Sequence, residues 1–297
     1  MLELGKKMLW IVVLLFVALP AWAEEKANPL DKAPSRFAKL DDIRVHYKSL
    51  GEGDTALVFV HGWTCNMNFW RYQVPAFDGK IRMILVDLPG HGESDKPKID
   101  YTMDLFARSV DAVLKEAGVE KAVLAGHSMG TPVIRQFARL YPKKTAGLIA
   151  VDGALRAPKF KPEDFEKFVA RFSGPEWKEN ITKMVDSMLT EQTPAEVRKA
   201  IKDGMPTAPQ HVAASAMKEM FNPVNWKDDE KIEAPLQAIM AKSPNWPADY
   251  EQFVRKIAPQ VDYHVMEGVG HFLMMEKPKE FNELMMSFLK KQGFVKP

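Results

Sequence analysis

The sequence predicts an α/β architecture: a mostly parallel central sheet flanked by helices on both faces and interrupted by one helical insertion. Three observations carry that prediction. Short apolar runs alternate with helical patterns through most of the chain, as strands joined by crossover helices require. The alternation breaks once, between Val151 and Leu236, where about 80 residues show helical spacing and no convincing strand. One apolar run ends in Gly126-His127-Ser128-Met129-Gly130, a glycine-flanked serine ahead of a helix-compatible stretch.

Composition agrees with a folded domain. The 297 residues are 46% hydrophobic and 27% charged, the balance of a globular protein with a substantial core. The first stretch stands apart from that fold. Lys6 and Lys7 form a short positive region, Met8 to Leu19 is an unbroken apolar run, and Ala21-Trp22-Ala23 offers small residues where a signal peptidase reads them. Residues 1–23 are therefore expected to be a secretory signal peptide, and the protein to be exported to the periplasm or medium. The rival reading, an uncleaved membrane anchor, needs about 20 apolar residues, more than this run supplies. No cysteine follows the cleavage site, which argues against a lipoprotein. Cleavage removes Lys6, Lys7 and Glu3, so the formal net charge falls only from +2 to +1. That balance points to no nucleic-acid or acidic-polymer partner. Cys65 is the only cysteine and can form no disulfide within the chain. It reads as a packing residue, with a reactive thiol as the alternative.

Along the chain, Ile43 to Tyr47 and Ala56 to Val60 are separated by Gly51 and Gly53 and suit a hairpin. Further strand-like runs are Ile81 to Val86, Ala122 to Ala125, Leu148 to Val151, Leu236 to Met240 and Val261 to Val265. Asp104 to Glu116 is helical in pattern and ends near Gly118. Inside the insertion, Phe165, Phe168 and Phe172 recur at helical spacing, as do Met184 and Met188, and then Met217, Met220 and Phe221. Thr193-Pro194-Ala195-Glu196 has the form of a capping box with proline at the first helical position. Asp228-Asp229-Glu230-Lys231 reads as a solvated charge run.

The chemistry concentrates at Ser128. A sharp strand-to-helix turn forces a serine into a strained conformation and exposes its hydroxyl, and flanking glycines remove side chains that would collide. The following helix start aims the Met129 N–H at developing negative charge. A second such donor is expected from the loop after an earlier strand. Leu57-Val58-Phe59-Val60-His61-Gly62-Trp63 supplies it, with the Trp63 N–H as donor and His61 shaping the loop.

These motifs, with Trp70, Asp87-Leu88-Pro89-Gly90-His91-Gly92-Glu93-Ser94 and Gly268-Val269-Gly270-His271-Phe272, run in order along nearly all of the chain after Ala23. Together they resemble the α/β-hydrolase superfamily, in the branch of esterases, perhydrolases, epoxide hydrolases and haloalkane dehalogenases. The resemblance implies a core of about eight strands with an inserted helical cap. The expected division is residues 24–152 as the first part of the core, 153–234 as the cap and 235–297 as the second part. Dehalogenases and epoxide hydrolases of this fold use an aspartate nucleophile, and a serine stands here. Superfamily order is serine, acid, histidine, which makes His271 the general base. His46, His91, His127, His211 and His264 read as structural, and the resemblance makes Asp87 and its loop a support for the site.

The acid is open at this level. The commonest family position follows the strand at Leu236 to Met240, but Ala241-Lys242-Ser243-Pro244-Asn245-Trp246-Pro247-Ala248-Asp249 holds no acid at the expected turn. Asp249 comes late, where it could equally cap a helix near Tyr250. A second family position follows the preceding strand, and Asp152 occupies it. Asp152 is the first choice and Asp249 the alternative.

No metal-ligand spacing appears, and Gly268-Val269-Gly270 lacks the third glycine of a dinucleotide loop. No cofactor is expected. The expectation is a serine hydrolase cleaving a small-to-medium carboxylic ester through an acyl-enzyme, with a lactonase or perhydrolase as close alternatives. A non-catalytic binding protein of the same fold is the alternative of another class. The phenylalanines and methionines of the insertion either line an apolar pocket or form the cap's own core.

Overall fold

The computed structural model describes residues 28–157, 161–222 and 226–295. The expected signal segment, residues 1–23, lies outside the described residues. Eight strands form one sheet: β1 (Arg36–Leu40), β2 (Ile43–Leu50), β3 (Thr55–Val60), β4 (Arg82–Val86), β5 (Lys121–His127), β6 (Thr145–Val151), β7 (Leu236–Ala241) and β8 (Asp262–Met266). Their order is β1-β2-β4-β3-β5-β6-β7-β8. β2 pairs antiparallel with β1 and β4, and the remaining neighbours are parallel. Helices α1 (Pro29–Lys32), α2 (Val74–Phe77), α3 (Met103–Glu116) and α4 (Gly130–Leu140) precede the insertion. Within it come α5 (Pro162–Ser173), α6 (Trp177–Met188), α7 (Ala195–Gly204) and α8 (Gln210–Phe221), and after it α9 (Tyr250–Ile257), α10 (Leu273–Glu276) and α11 (Pro278–Lys291).

The central strands are buried along almost their whole length. β3 reads Thr-Ala-Leu-Val-Phe-Val with every residue after Thr55 buried, as a parallel strand covered on both faces must be. This burial corrects the expected hairpin. β2 does not pair with β3; it pairs with β1 and β4, and β3 lies inside the sheet between β4 and β5. β1 escapes the apolar-run criterion because it is an edge strand, with only Ala38 and Leu40 buried among Arg36, Phe37 and Lys39. The helix expected at Asp104 starts at Met103, where the Thr102 side chain accepts from the Leu105 N–H.

In the insertion, α5 packs against α8. Phe168 sits edge-on to both Phe172 and Phe221, with centroids 5.6 and 5.5 Å apart. The expected capping box at Thr193 does not form. Its hydroxyl accepts from the Thr190 N–H and bonds the Glu276 carboxylate at 2.9 Å, and α7 starts at Ala195 with Pro194 at the cap. The hydroxyl proton goes to the carboxylate on α10 and its oxygen accepts from Thr190, which turns the side chain away from the α7 N–H groups. The run Asp228 to Lys231 is largely exposed, yet Asp228 accepts from the Ala157 N–H and Glu230 pairs with Arg139.

Because β3 to β8 are mutually parallel, their carboxyl ends share one edge of the sheet. The loops carrying Trp63, Ser128, Asp152, Trp246 and His271 all leave from that edge.

Candidate active site

β5 runs into α4 through Ser128, which has φ +52°. A non-glycine residue in the left-handed region is costly, about 1–3 kcal/mol, and persists only where surrounding contacts enforce it. They do so here: the Ser128 N–H donates to the Val151 carbonyl and its carbonyl accepts from Thr131, both at 2.9 Å. Space enforces the glycines. A Cβ at Gly126 would lie 2.3 Å from the Gly130 carbonyl oxygen, and one at Gly130 would lie 2.4 Å from that of Val60.

His271 lies between β8 and α10 and is held on three sides. Its Nδ1 is 2.6 Å from Asp152 Oδ2. Its backbone N–H donates to the Met188 carbonyl of α6, and its own carbonyl accepts from His127 Nε2 at 2.9 Å. With a carboxylate at Nδ1, the ring proton belongs there and Nε2 is left as the acceptor. Asp152 directly ends β6, with φ +41°, and its N–H donates to the Ile239 carbonyl. Its second oxygen, Oδ1, accepts from the Ala241 N–H at 2.9 Å and from the Trp246 indole Nε1 at 3.0 Å. Asp152 is buried, so these donors take the place of water around its charge.

Asp249 is elsewhere. It makes a two-pronged ion pair with Arg156, at 2.7 and 2.9 Å. It stands before α9 but makes no side-chain cap bond. The structure brings Ser128, Asp152 and His271 to one site and leaves Asp249 as a partner of Arg156 at its rim.

The loop after β3 faces the turn. Thr64 in this loop also has a positive φ, +55°. Among the described residues, neither the Trp63 nor the Met129 backbone N–H donates to another protein group. The Trp63 indole donates to the Ala213 carbonyl of α8, which ties this loop to the insertion. His61 accepts from the Leu88 N–H through Nε2, so Nδ1 carries the proton and donates to the Gly62 carbonyl at 2.8 Å. Burial lowers its pKa, which keeps it neutral in that role. Asp87 accepts from the N–H groups of Met67 and Glu93 and bonds His46 Nδ1. Burial works against its charge, but the bond from His46 and the other donors outweigh it and lower its pKa. Cys65 is buried, and burial pushes its thiol up, out of the thiolate range. His127 is buried and held neutral by desolvation, with His271 adding to the effect.

Ser128, Asp152 and His271 open into a cavity of about 1010 Å³. The insertion's apolar residues divide between the two roles the sequence allowed. Phe172, Ile181 and Val185 are buried core, Phe168, Met184, Met188, Met220 and Phe221 line the cavity, and Met217 is buried core that also reaches the cavity wall. Sequence reasoning missed two contributors. Trp246 supplies the indole donor to Asp152, and the Tyr250 hydroxyl donates to the Gly153 carbonyl while accepting from the Leu155 N–H. The available signal was a loop after β7 with no acid at the expected turn, followed closely by two aromatic side chains able to hydrogen-bond, Trp246 and Tyr250.

Among the described residues, no cluster of three or more His, Cys, Asp or Glu side chains is placed to hold a metal ion. None of their helices is long and apolar enough to cross a membrane. Residues 55–278 match the family model of the alpha/beta hydrolase fold. The chain is 30% identical over 271 residues to a 2-hydroxy-6-oxononadienedioate/2-hydroxy-6-oxononatrienedioate hydrolase of Paraburkholderia phymatum, covering 84% of this chain and 91% of that one. It is 29% identical to the dihydrolipoyllysine-residue acetyltransferase component of an acetoin cleaving system of Pseudomonas putida, across 81% of this chain but only 65% of that protein's length. Among solved structures, a thermophilic esterase from Thermogutta terrifontis superposes with a TM-score of 0.78 and 27% identity, covering 88% of this chain and 99% of the esterase.

Proposed function

The chain belongs to the α/β hydrolase fold family, and from that premise we propose that it is a serine hydrolase cleaving a carboxylic ester through an acyl-enzyme. The observation that carries this reading is the 2.6 Å bond between Asp152 and His271 Nδ1, beside a serine in a strained turn on the same cavity. In this reading His271 Nε2 takes the proton from Ser128 as the oxygen attacks the ester carbonyl. Asp152 keeps the imidazole in the tautomer with its proton on Nδ1 and stabilises the imidazolium that forms. The N–H groups of Trp63 and Met129 bind the oxyanion, and the start of α4 adds its dipole. The imidazolium then protonates the leaving alcohol, and water repeats the sequence to release the acid.

The esterase superposition supports an ester substrate, and the Paraburkholderia relative brings in 2-hydroxy-6-oxo-dienedioates as the compounds to test beside it. A fluorophosphonate probe should label wild-type protein at Ser128 and fail on Ser128→Ala, with ester turnover lost in parallel. Near-normal turnover by folded Ser128→Ala protein would sink the proposal. We also propose export, on the grammar of residues 1–23. Intact mass of the protein from its native host should place the N-terminus at Glu24, and retention of Met1 would refute it.

A further inference from the structure

Resting on the serine-hydrolase reading, we propose that the substrate is a neutral ester carrying one flexible apolar chain of medium length, with the cavity wall formed by the insertion as its binding site. The cavity, about 1010 Å³, is at the upper end of the range for small-molecule sites and far larger than an acetyl group needs. Its lining differs by element. The residues contributed by α5, α6 and α8 include no charged side chain, and six are Phe168, Met184, Met188, Met217, Met220 and Phe221. Methionine is unbranched and polarisable, so such a wall moulds itself to a chain with many rotamers better than to one rigid shape.

The charges on the cavity argue for a neutral substrate. Arg156 is mostly buried and committed to Asp249 by two short bonds, and its guanidinium lies over the Tyr250 and Phe253 rings. Lys242 pairs with Glu267 at 2.7 Å. Each cation among the described residues of the lining thus already has a carboxylate, and both stand in loops outside α5, α6 and α8, so a substrate carboxylate that reached the apolar wall would remain unpaired there. This separates the chain from its Paraburkholderia relative, whose name specifies a dicarboxylate.

The experiment measures kcat/KM on p-nitrophenyl esters from acetate to decanoate, on alkyl acetates from ethyl to decyl, and on the half-ester of octanedioic acid. Burial of a methylene corresponds to up to about fourfold in binding. With incomplete burial, octanoate should exceed acetate by at least about 50-fold, or decyl acetate should exceed ethyl acetate similarly if the chain enters from the alcohol side. The half-ester should fall at least about 30-fold below octanoate, because its carboxylate meets the apolar wall unpaired. Met220→Asp, at a half-buried wall position, should lower the long-to-short ratio of whichever series rises at least about tenfold. Flat or falling activity with chain length in both series overturns the inference, as does a half-ester at least as good as octanoate where the acyl series rises, while Ser128 labelling leaves the parent reading standing. Absence of labelling at Ser128 removes both. Should Met220→Asp fail to fold, the wild-type series still decides.

Discussion

Replacing Asp152 with asparagine keeps the shape of the side chain and changes what it offers to His271. The surroundings dictate which way the amide turns. Oδ1 accepts from two donors, the Ala241 N–H and the Trp246 indole. An NH₂ group there would face two N–H groups, so the amide oxygen stays on that side and the NH₂ points at His271. The amide then donates to Nδ1, and the imidazole proton is driven to Nε2, where it can no longer accept from Ser128. In the analogous substitution of a serine-protease triad the loss in kcat is about 10⁴-fold. A fall of about 10³- to 10⁴-fold is expected here, equivalent to roughly 4–5.5 kcal/mol of transition-state stabilisation. KM should change little, because the lost interaction develops during attack rather than binding. Asp249→Asn is the control, since its carboxylate is 59% exposed and serves Arg156; it should cost less than about tenfold. Steady-state kinetics on one ester, with circular dichroism and thermal melts to establish folding, measures both. A crippled Asp249→Asn beside a mild Asp152→Asn would reverse the assignment, and two mild variants would leave the site without its acid.

Three further outcomes follow from the same geometry. Trp246→Phe removes one donor from Asp152 but keeps an aromatic wall, so kcat should fall by roughly tenfold. KM should change little, and a kcat equal to that of the wild type would make Trp246 a packing residue only. Cys65→Ser should keep the mechanism, and the folded wild type should resist iodoacetamide, since burial raises the thiol pKa; rapid alkylation with loss of activity would contradict this. Burial lowers the pKa of His61, His91 and His127, with His91 at about 3. Unfolding lets these histidines bind protons near pH ~6.5, so their contribution to stability is present above that pH. It is lost as the pH falls from there toward about 3 for His91, by at most about 1.4 kcal/mol per pH unit for each histidine. Urea midpoints between pH 8 and 4 check it, and a constant midpoint would refute it.

The sequence alone determined whatever is set by neighbours along the chain. The buried strands β3 to β7 announce themselves as apolar runs, because a strand covered on both faces can carry little else. Ser128 is legible because a strained turn between a strand and a helix demands glycine where backbones meet, and Gly126 and Gly130 record those contacts. Edge pairing was not legible: β1 carries Arg36 and Lys39 because one side faces solvent, and β4, by pairing with both β2 and β3, stands where the expected hairpin would have joined them. Nor did local pattern predict Thr193, whose hydroxyl turns to Glu276, 83 residues away, instead of capping α7. The choice between Asp152 and Asp249 belonged wholly to the tertiary structure. Both follow strands at the same sheet edge, and local sequence makes either plausible. What separates them is that folding aims Asp152 at His271 and surrounds its other oxygen with Ala241 and Trp246, whereas Asp249 meets Arg156. A buried carboxylate must find its partners wherever the fold brings them, and spacing along a chain does not encode that distance.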